Sequence, residues 1–317
     1  MTTKIIIGSR GSKLALTQSR QVADALRAFH PGLVVEIIEI KTTGDRNLGA
    51  SLSELGGKGA FTKELEDALL ARQCDIAVHS LKDLPTTLPD GLRILCTPAR
   101  EDTRDVAILR DDSTAESALP LGWIPDGMAV GTSSLRRRAQ LARLRPDLRV
   151  MEFRGNVDTR IKKLREGQVF ACLLAAAGLK RLALLDEAEM RIEGLRAHWL
   201  QAPDWLPAAG QGALAIEGRS DDPTTAQLLA PLHDAGTFAA VTAERAFLNE
   251  LGAGCQAPVG ALAICPEGSA IHLQGCVLSQ DGAQRVHGKK AGDIADPAGC
   301  GRSLAQRLLK EGASQLL

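Results

Sequence analysis

The stretch Lys4-Ile5-Ile6-Ile7-Gly8-Ser9-Arg10-Gly11-Ser12 shows a strand giving way to a helix. Three consecutive isoleucines suit a buried strand, and Gly8 ends the apolar run. Ser12 is placed to cap a helix, because Leu14, Leu16, Val22, Ala25, Leu26 and Phe29 then recur near the helical period. His30-Pro31-Gly32 stops that helix, and residues 33–40 read as the next strand. The alternation continues with a Gly-rich loop from Gly44 to Gly59, a helix over 61–72 and a short buried strand over 75–79. It restarts near Val106: strands are expected at 128–130, 148–153 and 169–175, with helices at 135–144 and 156–165. Such alternation predicts an α/β fold with a mostly parallel sheet covered by helices on both faces. Residues 201–212, rich in Pro, Ala and Gly, read as a crossing segment. Beyond about Asp234 the texture is α+β, with a helix at 242–251, strands at 259–264, 271–279 and 286–289, and a last helix at 301–310.

The chain has 317 residues, with 38 Lys+Arg against 38 Asp+Glu, so its formal net charge is zero. That balance argues against a uniformly basic nucleic-acid binder, and 44% hydrophobic residues argue against disorder. The charge is unevenly spread. Residues 131–181 contain 13 Lys/Arg and 4 Asp/Glu, a difference of +9, and ten of the 13 are Arg. Planar guanidinium groups suit carboxylate or phosphate recognition. No apolar run is long enough for a membrane span, and the short Ile5–Ile7 run does not resemble a secretory signal; a cytoplasmic protein is expected. Seven cysteines, without a C-x-x-C pair or a matching His spacing, point away from zinc and from a disulfide framework, so no metal is expected.

Four constellations carry chemistry. Gly8–Ser12 and Gly131-Thr132-Ser133-Ser134-Leu135-Arg136-Arg137-Arg138 each place hydroxyls and cations where a strand passes into a helix, an anion-binding arrangement. Arg154-Gly155-Asn156, Arg160 and Gly178-Leu179-Lys180-Arg181 repeat the theme near other strand ends. A nucleotide is disfavoured: in Gly56-Gly57-Lys58-Gly59 the Lys is followed by Gly rather than Ser or Thr, and no dinucleotide fingerprint is present. Next, Asp75-Ile76-Ala77-Val78-His79-Ser80-Leu81-Lys82-Asp83-Leu84-Pro85 delivers a cation and a carboxylate at the end of a buried strand, suited to proton transfer or to stabilising a developing positive charge. His79, alone on an apolar strand, reads as a core residue. Last, Leu251-Gly252-Ala253-Gly254-Cys255-Gln256 presents one Cys among small residues, suited to nucleophilic attack or to attachment; no His/Asn pair accompanies it, which makes attachment the more economical reading.

Taken together these blocks resemble the porphobilinogen deaminase (hydroxymethylbilane synthase) family. Arg10-Gly11-Ser12, Gly56-Gly57-Lys58-Gly59, His79 to Pro85, Gly131 to Arg137, Arg154-Gly155-Asn156, Ala177 to Arg181, Gly210-Gln211-Gly212 and the Cys255 loop follow in the family's order. Ala253 departs from the glycine usual there, and a short insertion falls around 119–128. The resemblance implies two type II periplasmic-binding-protein-like, doubly wound domains flanking a cleft and a smaller C-terminal α+β domain. The boundaries expected are 1–103 with 212–231, 104–211 and 232–317. It also implies a transferase monomer that binds no nucleic acid and no membrane. A dipyrromethane cofactor, joined to Cys255 by a thioether, would prime head-to-tail addition of four porphobilinogen molecules. Each addition loses ammonia, and hydrolysis then releases hydroxymethylbilane for haem biosynthesis. Asp83 would assist departure of the amine, stabilise the cationic substrate and aid deprotonation. Lys82, Asp83, Ser134, Arg136, Arg137 and Arg160 would hold the cofactor; Arg10, Ser12, Lys58, Arg154, Arg181 and Gln211 would hold substrate and chain.

The residues support this on their own terms. Each pyrrole carries two carboxylates, so a chain that grows without release needs many cationic contacts and a tether. The rival reading is a non-catalytic binding protein for a polyanionic small molecule, which would need neither Asp83 nor Cys255. Nucleic-acid binding is weaker still, because the basic window lacks interleaved aromatics.

Overall fold

The computed structural model describes residues 4–46, 61–110, 120–253, 257–266 and 270–317. Lys58 and Cys255 lie outside the described residues. The chain divides into two compact units, 1–101 with 212–238 and 102–211 with 239–317.

The first unit is built on a five-stranded sheet in the order Val34–Glu39, Lys4–Ser9, Ile76–Ser80, Leu214–Arg219, Leu92–Cys96. The first three strands are parallel, and Leu214–Arg219 runs antiparallel to both its neighbours. The sheet is mostly parallel as expected, with Leu214–Arg219 the one strand that runs against the other four. The reason is the chain's route: it leaves after Glu101 and returns at Gly212, where Glu101 N–H donates to Gly212 O at 3.1 Å, so the returning strand runs opposite to the outgoing ones.

Ser12 caps the helix Lys13–Phe29 as expected, its Oγ accepting from Ala15 N–H at 3.3 Å. That helix buries Val22, Ala23 and Leu26 against Ile5, Ile7, Val35, Ile76 and Val78. On the other face the helix Lys63–Leu70 packs Leu65, Ala68 and Leu69 on Cys74, Ala77 and Leu92. Each such buried aliphatic side chain contributes roughly 1.5–3 kcal/mol. These two apolar layers hold the strand ends rigidly, which is what a site placed there requires.

The second unit holds a seven-stranded sheet in the order Arg149–Met151, Ala129–Gly131, Ala171–Ala175, Asp105–Leu109, Leu195–Leu200, Arg191–Ile192, Leu185–Asp186. Again three parallel strands are followed by an antiparallel one, here Asp105–Leu109. This pattern of a parallel trio flanked by a crossing strand, present in both units, is the type II periplasmic-binding-protein-like architecture. A separate antiparallel sheet, Val259–Ile264, Ala270–Leu278, Arg285–Asp293, forms the smaller α+β part. Its core joins Ile271 and Leu273 to Phe247, Leu304 and Leu308 from the helices Ala235–Glu250 and Pro297–Lys310.

Both helices start earlier than the apolar spacing suggests. Asp234 Oδ1 accepts from Thr237 N–H at 2.6 Å, and Asp296 caps Gly299 N–H ahead of Pro297, so side-chain caps set the starts. Among the described residues no helix is long and apolar enough to cross a membrane. Cys74, Cys96, Cys172, Cys276 and Cys300 are buried free thiols, and Cys265 is half-buried.

Candidate active site

In the first unit Lys4–Ser9 and Ile76–Ser80 are adjacent parallel strands, so the residues that follow them emerge at one sheet edge. Arg10, Ser12, Lys82 and Asp83 are brought to that edge. Arg10 is half-buried, its guanidinium 4.2 Å above the Phe61 ring. Gln18 Nε2 donates to Ser80 Oγ at 2.9 Å, tying the first helix to the end of the second strand. Leu81–Asp83 then makes a single tight turn, closed by Leu84 N–H to Leu81 O at 3.1 Å. Leu81 and Leu84 are buried and pin the turn from below; Lys82 is half-buried and Asp83 is exposed. A carboxylate held this way is rigid in its backbone and open to a ligand.

His79, two residues before that turn, is a core residue but not an isolated one. Its Nε2 lies 2.9 Å from Glu217 Oε2, and both side chains are buried. The two side chains are in close contact yet misaligned for a hydrogen bond, so neither Glu217 oxygen receives a donor. Glu66 is buried nearby; burial and the Glu217 charge push its carboxyl above the usual range.

In the second unit the parallel strand ends again carry the cations. Ser134 caps the helix Leu135–Leu144, its Oγ accepting from Arg137 N–H at 3.4 Å. Gly131 precedes it because a Cβ there would meet Phe153 Cγ at 2.6 Å. Arg136 and Arg137, read from sequence as cofactor ligands, are both buried and converge on one carboxylate that sequence reasoning passed over, that of Asp105. Arg136 Nη1 donates to Asp105 Oδ2 at 2.9 Å and to Leu206 O at 2.7 Å. Arg137 Nη2 donates to Asp105 Oδ1 at 2.6 Å, and its Nη1 to Leu173 O at 2.8 Å. Trp205 Nε1 completes Oδ2 at 2.7 Å. Gln211, fully buried, donates from Nε2 to Asp105 Oδ1 and Thr103 O, both at 2.8 Å. Burial opposes ionisation of Asp105, but the charges of Arg136 and Arg137 outweigh it and hold the carboxyl well below its usual range. The Nε–H groups of Arg136 and Arg137 are buried and have no acceptor.

Arg154, Arg160 and Arg181 are half-buried around the neighbouring strand ends. Arg154 pairs with Glu152, and Arg160 Nε donates to Gly155 O at 2.7 Å. The basic window is less unbalanced in space than in sequence. Asp102, Asp105, Asp126, Glu187 and Glu193, all outside it, pair with Lys180, Arg136, Arg137, Arg145 and Arg165. The one sequence signal for Asp105 is a charge opening the otherwise apolar run Val106-Ala107-Ile108-Leu109, which costs too much to bury without cations.

Fold and site together define an α/β protein that presents arginine, serine and an exposed carboxylate at strand ends, a class of site whose donors suit a polyanionic small molecule. Comparison with known proteins narrows the class. The family profile described as "Porphobilinogen deaminase, dipyromethane cofactor binding domain" matches residues 5–227, and "Porphobilinogen deaminase, C-terminal domain" matches 238–310. Porphobilinogen deaminase of Roseiflexus castenholzii is 47% identical over 318 residues, covering 100% of this chain and 99% of the relative. That of Paracoccus denitrificans is 48% identical over 308 residues, covering 96% of this chain and 93% of the relative. The chain belongs to the porphobilinogen deaminase family. The family's dipyrromethane cofactor fits the donors present: the two orphan Nε–H groups, and two guanidinium charges set against the single carboxylate of Asp105, leave room for an anion.

Proposed function

We propose that the chain catalyses stepwise condensation of four porphobilinogen molecules onto a dipyrromethane primer carried on Cys255, with loss of four ammonia, followed by hydrolysis to hydroxymethylbilane. The observation that carries this reading is the exposed carboxylate of Asp83, fixed on a buried turn beside Lys82, in a chain whose other strand ends carry arginines. The cofactor, when bound, supplies the nucleophilic pyrrole carbon and the tether. Asp83 sets a negative charge against the cation that develops on porphobilinogen as its amine departs, and accepts the proton released after bond formation. Lys82, Ser134, Arg136, Arg137 and Arg160 hold the primer's carboxylates, and Arg10, Ser12, Lys58, Arg154 and Arg181 those of substrate and growing chain. Gln211, engaged with Asp105 and Thr103, acts by stiffening the crossing segment and the strand it meets.

We read the chain as three domains with the boundaries given by the resemblance, acting as a cytoplasmic monomer on small-molecule substrates without nucleic acid or membrane. Intact-mass measurement tests the core of the proposal. A covalent excess of two pyrrole units, lost in Cys255→Ser, is expected; an unmodified mass together with no ammonia release from porphobilinogen would refute it.

A further inference from the structure

We propose that Asp105 is a positioning residue for the polypyrrole's carboxylates: it turns Arg136 and Arg137 together so that their Nε edges are presented to the ligand. The proposal deepens the functional reading above and rests on it. Adjacent residues on a helix point about 100° apart, so nothing in the local sequence makes these two guanidinium groups converge. A shared anchor does. Asp105 Oδ2 takes Arg136 Nη1 and Oδ1 takes Arg137 Nη2, at 2.9 and 2.6 Å. Backbone carbonyls of Leu206 and Leu173 take the remaining bonds, again through Nη1 of each arginine. All the hydrogen bonds described for the two guanidiniums therefore run through the Nη ends, while both buried Nε–H groups lack an acceptor.

The anchor itself cannot swing toward a ligand. Trp205 Nε1 and Gln211 Nε2 occupy the same two oxygens, and Gln211 is held in turn by the Thr103 carbonyl. Asp105 is fully buried and so acts through the arginines rather than on the substrate. The charges do not cancel: two cations face one carboxylate, all three at least nine-tenths buried. A buried surplus positive charge with unpaired donors calls for an anion, and the Nε–Nη edge of a guanidinium matches a carboxylate's two oxygens. Carboxylates of the primer and chain supply that anion. Asp105 thus leaves the cations charged and aligned while both Nε–H groups stay unpaired.

The test compares Asp105→Asn with Asp126→Asn. Asparagine at 105 keeps the volume but turns an NH2 toward one of the arginines, releasing it; at 126 it removes the same charge from an exposed carboxylate that pairs with Arg145 and leaves Arg136 and Arg137 on Asp105. Unloaded protein is incubated with porphobilinogen and followed by intact mass. The expected result is loading slowed at least about tenfold in Asp105→Asn, with KM for porphobilinogen raised more than kcat is lowered, while Asp126→Asn loads and turns over as the unsubstituted protein does. Normal loading and KM in Asp105→Asn, or equal losses in both variants, would overturn the proposal. A second measurement does not depend on how well Asp105→Asn folds. Between unloaded Cys255→Ser and the loaded protein, the 15N Nε–H resonances of Arg136 and Arg137 should shift while the Trp205 indole resonance stays in place. A shifting indole with unmoved Nε signals would overturn it. If the unsubstituted protein gains no pyrrole mass, the functional reading fails and the proposal with it; a loading protein beside a normally loading Asp105→Asn refutes the proposal alone.

Discussion

Replacing Asp83 by Asn should separate catalysis from folding. The side chain is exposed at the end of a turn whose anchors are Leu81 and Leu84, and no hydrogen bond is described for its carboxylate among the described residues. Substitutions at such positions usually change stability by less than about 0.5 kcal/mol, so the melting temperature should move by only a degree or two. The catalytic loss is set by charge. A carboxylate about 4 Å from a developing cation near a protein surface contributes about 4 kcal/mol at an effective dielectric constant of 20. At 1.36 kcal/mol per decade that is about a thousandfold in kcat. Asn retains the shape and loses the charge, so loading of the primer by intact mass should be detectable while ammonia release slows by two to four decades, the range about 10²–10⁴ expected for such groups. Steady-state ammonia release beside a thermal melt reads both quantities. Turnover within a factor of about three of the unsubstituted protein would remove Asp83 from the chemistry. A large fall in melting temperature would show instead that the carboxylate serves the fold, against the exposed geometry described above.

Three further outcomes follow from the packing. Breaking the buried His79–Glu217 contact by Glu217→Leu should destabilise the protein by about 1–3 kcal/mol, the cost of leaving a buried polar group without a partner, whereas the double replacement His79→Leu/Glu217→Leu should cost less than the two single replacements summed; additivity within about 0.5 kcal/mol in denaturant melts would show no coupling. Glu66→Gln should stabilise the fold increasingly as pH rises. The Glu66 carboxyl is raised in the folded state, first by burial and then by Glu217, so its contribution is present below the unfolded carboxylate pKa of about 4.3 and is lost as pH rises through the folded value. Melts of Glu66→Gln and the unsubstituted protein should therefore coincide in acid and diverge toward alkaline pH, and the opposite trend would refute the assignment. Gly131→Ala should cost about 1–3 kcal/mol, because its Cβ would sit 2.6 Å from Phe153 Cγ, and Gly131→Ala/Phe153→Leu should recover part of that loss; no recovery would place the strain elsewhere.

Much of the fold is legible in short stretches. Ser12 and Ser134 cap the helices that their positions suggest, and Leu135–Leu144 has the bounds that apolar spacing gives, because a cap and one turn of helix are settled within a few residues. The strand ends bearing Arg10, Lys82, Asp83 and Ser134 are legible for the same reason. Less local features escape such short stretches. The helix Ala235–Glu250 begins well before residue 242, since its first turn is held by Asp234 rather than by an apolar stripe. Strands that run against their mostly parallel sheets, Leu214–Arg219 and Asp105–Leu109 among them, are not legible either, because strand direction follows from where the chain leaves and re-enters a unit.

The amino-acid order alone determines which residue types stand at the strand ends, and with them how much positive charge is placed there. Tertiary structure alone decides which of those charges already have a partner and which donors stay open. Arg136 and Arg137 look alike as a run of surface cations on one helix, yet both are buried on Asp105, which stands far earlier in the chain at the start of a strand. Likewise Glu217 reaches His79 only because the returning strand pairs antiparallel beside it. The physical reason is range: capping and periodicity act over about 5 Å along the chain, whereas the neutralisation of a buried charge depends on whichever partner folding brings within hydrogen-bonding distance.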